Sequence, residues 1–333
     1  MLSVICPIYN EEKYIGACIE SIIVQDYPKD DLEVIFADGM STDRTRDIVA
    51  EYAAKCPWIH LIDNPKRIVP PGLNAAIKAS KGDIIMRLDA HASYPNNYFS
   101  SLEKYLKESE AENVGGVCIT LPPDNTAKSK AIAAVLSSKF GMGNSSFRVG
   151  SSKCCEVDTV PFGCWHKELF DKIGLFDEDL IRNQDDEFNG RIRKHGGRII
   201  LYPDIEIKYF GRDSIGKLAK MFYQYGLFKP LVNKKLGAPA TIRQFFPFAL
   251  VIGLIVGLII SVLWHAFSLI YFIGIIIYLL LSLISSINSG GSISKILIQT
   301  ICYPVVHLSY GWGYLVGLWK LLNKKTFNAK SNH

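Results

Sequence analysis

Four short segments carry residues able to do chemistry: Cys6-Pro7-Ile8-Tyr9-Asn10-Glu11-Glu12, Phe36-Ala37-Asp38-Gly39-Met40-Ser41-Thr42-Asp43, Ile85-Met86-Arg87-Leu88-Asp89-Ala90-His91-Ala92 and Arg182-Asn183-Gln184-Asp185-Asp186-Glu187-Phe188-Asn189. In the first, Tyr9 offers a ring on which a base can stack, and Asn10 or Glu11 can hydrogen-bond a nucleoside. Plain capping, with Asn10 as N-cap and acids in the first turn, accounts for the same residues. In the second, Asp38 can pair with a base N–H or ribose hydroxyls, as the acid of dinucleotide folds does. Capping explains Ser41 and Asp43 but not an aspartate placed before Gly39. In the third, Asp89 and His91 are two residues apart, so on extended backbone they face the same way and can reach one divalent cation bridging a diphosphate. Mg²⁺ or Mn²⁺ there stabilises the charge that develops on a leaving nucleoside diphosphate. A mixed carboxylate and imidazole pair leans towards Mn²⁺. In the fourth, three consecutive acids either cap a helix or supply a general base that deprotonates an acceptor hydroxyl.

These segments need strand ends and helix starts to hold them. Up to about Pro203, short β-rich apolar runs alternate with helical periodicity, which predicts an α/β fold, Rossmann-like, with a mostly parallel sheet and helices on both faces. Strands are expected at Leu2 to Ile8, Leu32 to Ala37, Ile59 to Asp63, Asp83 to Leu88, Val114 to Thr120, Thr159 to Phe162 and Arg198 to Tyr202. Helices are expected at Glu12 to Gln25, Asp43 to Lys55, Pro71 to Ser80, Tyr98 to Ser109, Lys167 to Ile173 and Asp185 to His195. Asn10, Ser41 and Pro70-Pro71 mark three of the starts. Each of those helices follows a strand, so its N-terminus points to the carboxyl edge of the sheet, where open α/β sheets bind ligands. Residues 121 to 158, rich in Pro, Ser, Asn and Gly around one helical piece at Ala127 to Phe140, read as a mobile insertion, a lid or an acceptor-binding element.

Charge is unevenly spread. All 32 Asp and Glu residues precede position 245, and 32 of the 37 Lys and Arg residues do too, so the first 244 positions are formally neutral. The net charge of +5 sits in the tail and gives no reason to invoke nucleic acid. Between Glu206 and Phe245, eight basic residues face two acids, the pattern of a juxtamembrane segment at an anionic lipid surface. Phe246 to Trp264 and Ala266 to Ile287 then run without a charge, each long enough for a membrane helix. A third segment, Ile296 to Leu322, is interrupted by Gln299, Pro304, His307 and glycines and is a weaker span. The expected organisation is therefore a catalytic domain over 1–204, a basic amphipathic segment over 205–244, two or three membrane helices over 245–322 and a basic tail over 323–333. The eight cysteines form no metal-binding spacing and suit reduced thiols in the cytosol, and the apolar start lacks a basic n-region, so no signal peptide is expected. Gly141-Met-Gly143 lacks a preceding strand and a third glycine, so it is not a dinucleotide loop.

Taken in order, the four segments resemble the family-2 glycosyltransferases, inverting enzymes with a GT-A fold, and among them the succinoglycan-type exopolysaccharide glycosyltransferases. The resemblance covers roughly Leu2 to Gly226. It implies that Pro7, Tyr9, Asn10 and Glu11 with Asp38 bind the nucleoside, usually uridine, and that Arg67 and Asn74 fall near the donor. Asp89-Ala-His91 matches the DxD element that holds metal and diphosphate. Gln184-Asp185 matches the "ED" motif, which makes Asp185 the base, with Asp186 as its rival because Gln184 departs from the usual glutamate. Phe162, Gly163 and Trp165 match the segment that shapes the acceptor side. The Arg-Trp pair of processive synthases is missing after Gln224, so transfer of a single sugar is implied. The resulting expectation is an enzyme of the cytoplasmic membrane, multi-pass, with its catalytic domain in the cytosol. The expected donor is a UDP-sugar sooner than a GDP-sugar, and the expected acceptor is a lipid-linked saccharide. Two alternatives remain open: a polyprenyl-phosphate glycosyltransferase, and a non-catalytic membrane scaffold with a relict nucleotide site.

Overall fold

The computed structural model describes residues 1–239 and 241–327, so residues 328–333 of the expected basic tail lie outside the described residues. The elements run β1 Leu2–Ile8, α1 Ile15–Ile23, β2 Leu32–Asp38, α2 Thr45–Ala53, β3 Ile59–Asp63, α3 Val69–Ala79, β4 Ile84–Arg87, β5 Ala92–Ser93, α4 Tyr98–Ser109 and β6 Asn113–Leu121. They continue through α5 Ala127–Leu136, α6 Lys139–Met142, α7 Ser146–Val149, β7 Cys155–Glu156, β8 Cys164–His166, α8 Glu168–Ile173, α9 Gln184–Lys194 and β9 Ile199–Phe210. The last helices are α10 Ile215–Leu236, α11 Phe245–Leu263, α12 Ser268–Asn288 and α13 Ile293–Leu322. By packing, the described residues form two compact units, one of Met1–Ile119 with Gly150–Tyr209, the other of Thr120–Val149 with the described residues from Phe210 to Phe327.

The first unit is built on a nine-stranded sheet ordered β3-β2-β1-β4-β8-β6-β9-β5, with β7 paired to β9. It is α/β, as expected, but mixed. The β3-β2-β1-β4 half is parallel, and the β4-β8, β8-β6, β9-β5 and β9-β7 pairs are antiparallel. The parallel half was readable because strands covered on both faces are continuous apolar runs; β2 is buried throughout. Of its two acids, Glu33 is satisfied at the opposite edge from the ligand side, where Glu33 Oε1 accepts from Ser3 Oγ at 2.5 Å and from the Lys81 N–H at 2.5 Å. Register sets Ile8 beside Asp38 and Ile5 beside both Ile35 and Arg87, so the candidate segments leave the sheet side by side.

Two strand expectations need correction. Thr159 to Phe162 is not a strand; the pairing strand is β8, which begins two residues after Phe162 and is wedged between β4 and β6. And β9 does not stop at Tyr202. It continues to Phe210 with Ile205, Ile207 and Tyr209 buried while Glu206, Lys208 and Phe210 face out, a period-two pattern that the charges disguised as part of a basic segment.

In the second unit, Thr120–Val149 is not a mobile insertion. Thr126 caps α5 by accepting from the Ser129 N–H at 3.2 Å. The helix then buries Ile132, Val135 and Leu136 against Leu218, Met221 and Phe222 of α10 and Cys302, Tyr303 and Val306 of α13. The His307 ring ties this segment to α13, one nitrogen 3.0 Å from the Phe140 carbonyl oxygen and the other 2.8 Å from the Tyr278 hydroxyl. The glycines of the third apolar segment also have a packing role. A Cβ at Gly226 would lie 2.0 Å from the Tyr310 carbonyl oxygen, and one at Gly313 would lie 2.2 Å from that of Tyr223, so α10 and α13 meet backbone to backbone. Among the described residues, two helices are long and apolar enough to cross a membrane, Ile242–Leu263 and His265–Asn288. Their side chains are mostly exposed, among them Leu258, Ile259, Val262 and Leu263 on α11 and Leu269, Ile270, Phe272 and Ile276 on α12. The multi-pass expectation is therefore not supported: only these two helices among the described residues qualify, and Ile293–Leu322 does not.

Candidate active site

The loops after β1 and β2 are laced together. Asn10, in the left-handed region at φ 53°, donates its N–H to Ser41 Oγ at 2.8 Å and accepts from the Thr42 N–H at 2.9 Å. The Glu11 N–H bonds Thr45 Oγ1 at 2.7 Å, and the Glu12 N–H bonds Asp43 Oδ2 at 3.2 Å. Neither Asn10 nor Ser41 therefore starts a helix: α1 opens only at Ile15 and α2 at Thr45, so the capping reading is replaced by loop-to-loop bonding. Pro7 sits in the sheet opposite Ala37. Tyr9 rests on Gly39, where a Cβ would come within 3.2 Å of the tyrosine, so the glycine makes room for the ring.

Asp38 is fully buried, and its carboxylate is largely engaged by the protein itself. Ser41 donates to it from both Oγ (2.5 Å) and N–H (3.0 Å), and Arg46 Nη1 is 2.6 Å away. Arg46, which the sequence reading missed, also bridges to Asp63 at 2.8 Å. Asp38 thus anchors the loop that would meet a nucleoside as much as it offers an acceptor. Asn74, expected near the donor, spends its amide elsewhere. It donates to the Phe176 carbonyl and Glu178 and accepts from the Phe176 N–H, tying α3 to the loop after α8. Lys66, 2.5 Å away, and then Asn74 hold the Glu178 carboxyl below its ordinary range. Arg67 is exposed in left-handed backbone at φ 57° on the loop after β3.

Asp89 and His91 do converge. The His91 Nδ1 lies 3.0 Å from Asp89 Oδ1 and 3.4 Å from Glu11 Oε1. Glu11, expected to face a nucleoside, is instead a buried carboxylate against this imidazole. Tyr94 fixes the turn, accepting from the Asp89 N–H at 2.7 Å, and burial pushes its phenol well above the ordinary pKa. No group of three or more His, Cys, Asp or Glu among the described residues is arranged to hold a metal. One carboxylate and one imidazole at a strand end nevertheless fit the partial shell that a divalent cation completes with diphosphate oxygens and water.

Asp185 opens the first turn of α9 and is 44% exposed. It lines a small cleft of about 10 Å³, room for roughly one water or one ligand oxygen, with Arg87, Val160, Phe162, Gly163, Trp165, Phe176, Phe188 and Asn189. The structure therefore brings Asp185 together with all three residues expected on the acceptor side. Phe162 is held in left-handed backbone at φ 48°, and a Cβ at Gly163 would lie 2.3 Å from Asn113 Oδ1. Trp165 is packed edge-on against Phe170, Phe176 and Phe188. Asp186 does not line the cleft. Glu187 is buried and paired with Arg191 at 2.7 Å, whose guanidinium also donates to the carbonyls of Ile173 and Leu175.

A sheet that delivers acids to the carboxyl ends of β1, β2 and β4, with another acid on a cleft beside it, defines an α/β protein of the class that binds its ligand at strand ends. The chain belongs to glycosyl transferase family 2, whose profile it matches over residues 3–170, and is a glycosyltransferase. It is 32% identical over 96% of its length, and 97% of the relative's, to the dolichyl N-acetyl-alpha-D-glucosaminyl phosphate 3-beta-D-2,3-diacetamido-2,3-dideoxy-beta-D-glucuronosyltransferase of Methanococcus voltae. It is 29% identical to the succinoglycan biosynthesis protein ExoA of Rhizobium meliloti, covering 74% of each chain. The mannosyltransferase of Pyrobaculum calidifontis solved with GDP-Man and Mn²⁺ shares the GT-A fold, with a TM-score of 0.58 at 20% identity over 97% of this chain and 87% of that one.

Proposed function

We propose that the protein transfers one sugar from a UDP-sugar to a lipid-linked saccharide by single displacement, with inversion at the anomeric carbon. The observation that carries this reading is the placement of Asp185. It is an open carboxylate on the rim of the cleft formed by Phe162, Gly163 and Trp165, while Asp186 does not line that cleft and Glu187 is committed to Arg191. Asp185 takes the proton of the acceptor hydroxyl as its oxygen attacks. Tyr9, Asn10 and Asp38 shape the nucleoside side, with Arg67 on the loop beyond β3. Asp89 and His91 would hold a divalent cation, Mn²⁺ or Mg²⁺, which when bound neutralises charge on the diphosphate. Glu11 orients the His91 ring.

The acceptor class rests on the relatives. The Methanococcus protein is named for a dolichyl-linked sugar phosphate and the Rhizobium protein for succinoglycan biosynthesis. UDP rests on the family resemblance, whereas the Pyrobaculum structure carries GDP-Man. The α11 and α12 hairpin would anchor the enzyme in the cytoplasmic membrane with the sheet in the cytosol, where a lipid-linked acceptor is concentrated.

The test uses membranes containing the full chain, labelled UDP-glucose, UDP-N-acetylglucosamine, UDP-glucuronic acid or GDP-mannose, and polyprenyl-linked N-acetylglucosamine or bare polyprenyl phosphate. Label should enter the lipid fraction from a UDP-sugar, only with the lipid-linked saccharide, and resist release as a monosaccharide by mild acid. An acid-labile monosaccharide made from bare polyprenyl phosphate supports the lipid-phosphate alternative instead. No transfer from any donor contradicts both.

A further inference from the structure

We propose that Arg87 and the indole N–H of Trp165 form an anion subsite in the cleft beside Asp185, taking a carboxylate or phosphate oxygen carried by the transferred sugar or the acceptor. The proposal rests on the transfer reading above. Strand β4 is otherwise apolar and buried, as Ile84, Ile85 and Met86 show, and Arg87 places a guanidinium at its end. Arg87 is only 7% exposed. Its backbone N–H is used by the Gly163 carbonyl at 3.0 Å, but its Nε has no acceptor among the described residues. Nη1 makes a long ion pair with Asp185 Oδ2 at 4.0 Å, beyond hydrogen-bonding distance, which leaves the guanidinium fork without a close acceptor there. The Phe162 ring, 5.9 Å from the guanidinium carbon, gives the charge an aromatic face but no acceptor.

Trp165 repeats the pattern. It is buried among phenylalanines, and its Nε1 also lacks an acceptor. Buried donors are ordinarily bonded, because desolvating one without a partner is costly. Two such donors, one of them a full positive charge, line the same cleft as the candidate base. A guanidinium fork matches a carboxylate or phosphate in two-point geometry, and the neutral indole N–H adds a donor without adding charge. An anionic oxygen is the chemistry that satisfies both.

The experiment compares wild type, Arg87→Met and Arg87→Lys on two matched pairs of substrates. The donor pair is UDP-glucuronic acid against UDP-glucose, and the acceptor pair is polyprenyl-phosphate-linked N-acetylglucosamine against octyl N-acetylglucosaminide. Arg87→Met should lose roughly 10- to 100-fold in kcat/KM on the anionic member of one pair, with little change on its neutral partner, and Arg87→Lys should recover part of the loss. Selectivity lost in the donor pair identifies a sugar carboxylate; lost in the acceptor pair, it identifies the acceptor's phosphate. An equal loss on all substrates, or none, overturns the subsite and leaves Arg87 as a residue that positions Asp185. UDP binding by calorimetry monitors folding, and if Arg87→Met fails to bind UDP, the Lys variant carries the same comparison. Absence of transfer by the wild type contradicts the transferase reading, not the subsite.

Discussion

Asp185→Asn is expected to lower kcat for sugar transfer by about 10²- to 10⁴-fold, the range a positioned general base supplies, while the donor KM changes by no more than a few-fold. Asn keeps the volume and one acceptor oxygen but cannot take a proton. Because the side chain stands at the cleft rim with no hydrogen bond to Arg87 at 4.0 Å, its loss should not unravel the first turn of α9. The comparison with Asp186→Asn separates the rivals. Asp186 is outside the lining of the cleft, so that variant should retain most of its turnover. Steady-state transfer by both variants, with UDP affinity measured alongside, decides the matter. Equal losses, or a larger one at Asp186, would reassign the base.

The second large effect is expected at the end of β4. Chelation by EDTA should abolish transfer and Mn²⁺ should restore it, and Asp89→Asn should lower kcat/KM by at least roughly 10²-fold while raising the metal concentration needed for half-maximal rate. The reason is electrostatic. A departing nucleoside diphosphate gains charge at an edge where Glu11, Asp89 and the imidazole between them already gather two carboxylates, and a bound cation is worth several kcal/mol there. Transfer that proceeds undiminished in EDTA would remove Asp89 and His91 from the role of metal ligands.

What was legible in the sequence follows from the local rules that govern each part. Buried parallel strands are continuous apolar runs, so β1 and β2 could be read to within a residue, and with them the edge that carries Asp38 and Asp89. The antiparallel half was less legible. β9 alternates buried Ile205, Ile207 and Tyr209 with outward charges, and its charges masked the alternation. β8 is only three residues long and has too little sequence to announce itself.

At the site, the spacing of Asp89 and His91 announced their convergence, whereas the Phe162 to Trp165 segment was singled out by the family resemblance alone. Residues that act through long-range pairing were missed. Arg46 reaches Asp38 from the next helix, and Asn74 clasps a loop more than a hundred positions away, which no spacing rule encodes. Arg87 did leave a signal: a charge between Met86 and Leu88 in an otherwise apolar strand is out of place unless something pairs with it. Among the interruptions that weakened Ile296 to Leu322 as a membrane span, Gly313 and Gly317 proved to be notches that let α13 lie against α10.

The most direct test of the account is the anomeric configuration of the product. With an α-linked UDP-sugar as donor, a single displacement assisted by Asp185 as base predicts a β-linked sugar on the lipid-linked acceptor, read by NMR of the purified product. An α-linked product would mean retention at the anomeric carbon, which a single in-line displacement cannot give, and would contradict the role given to Asp185.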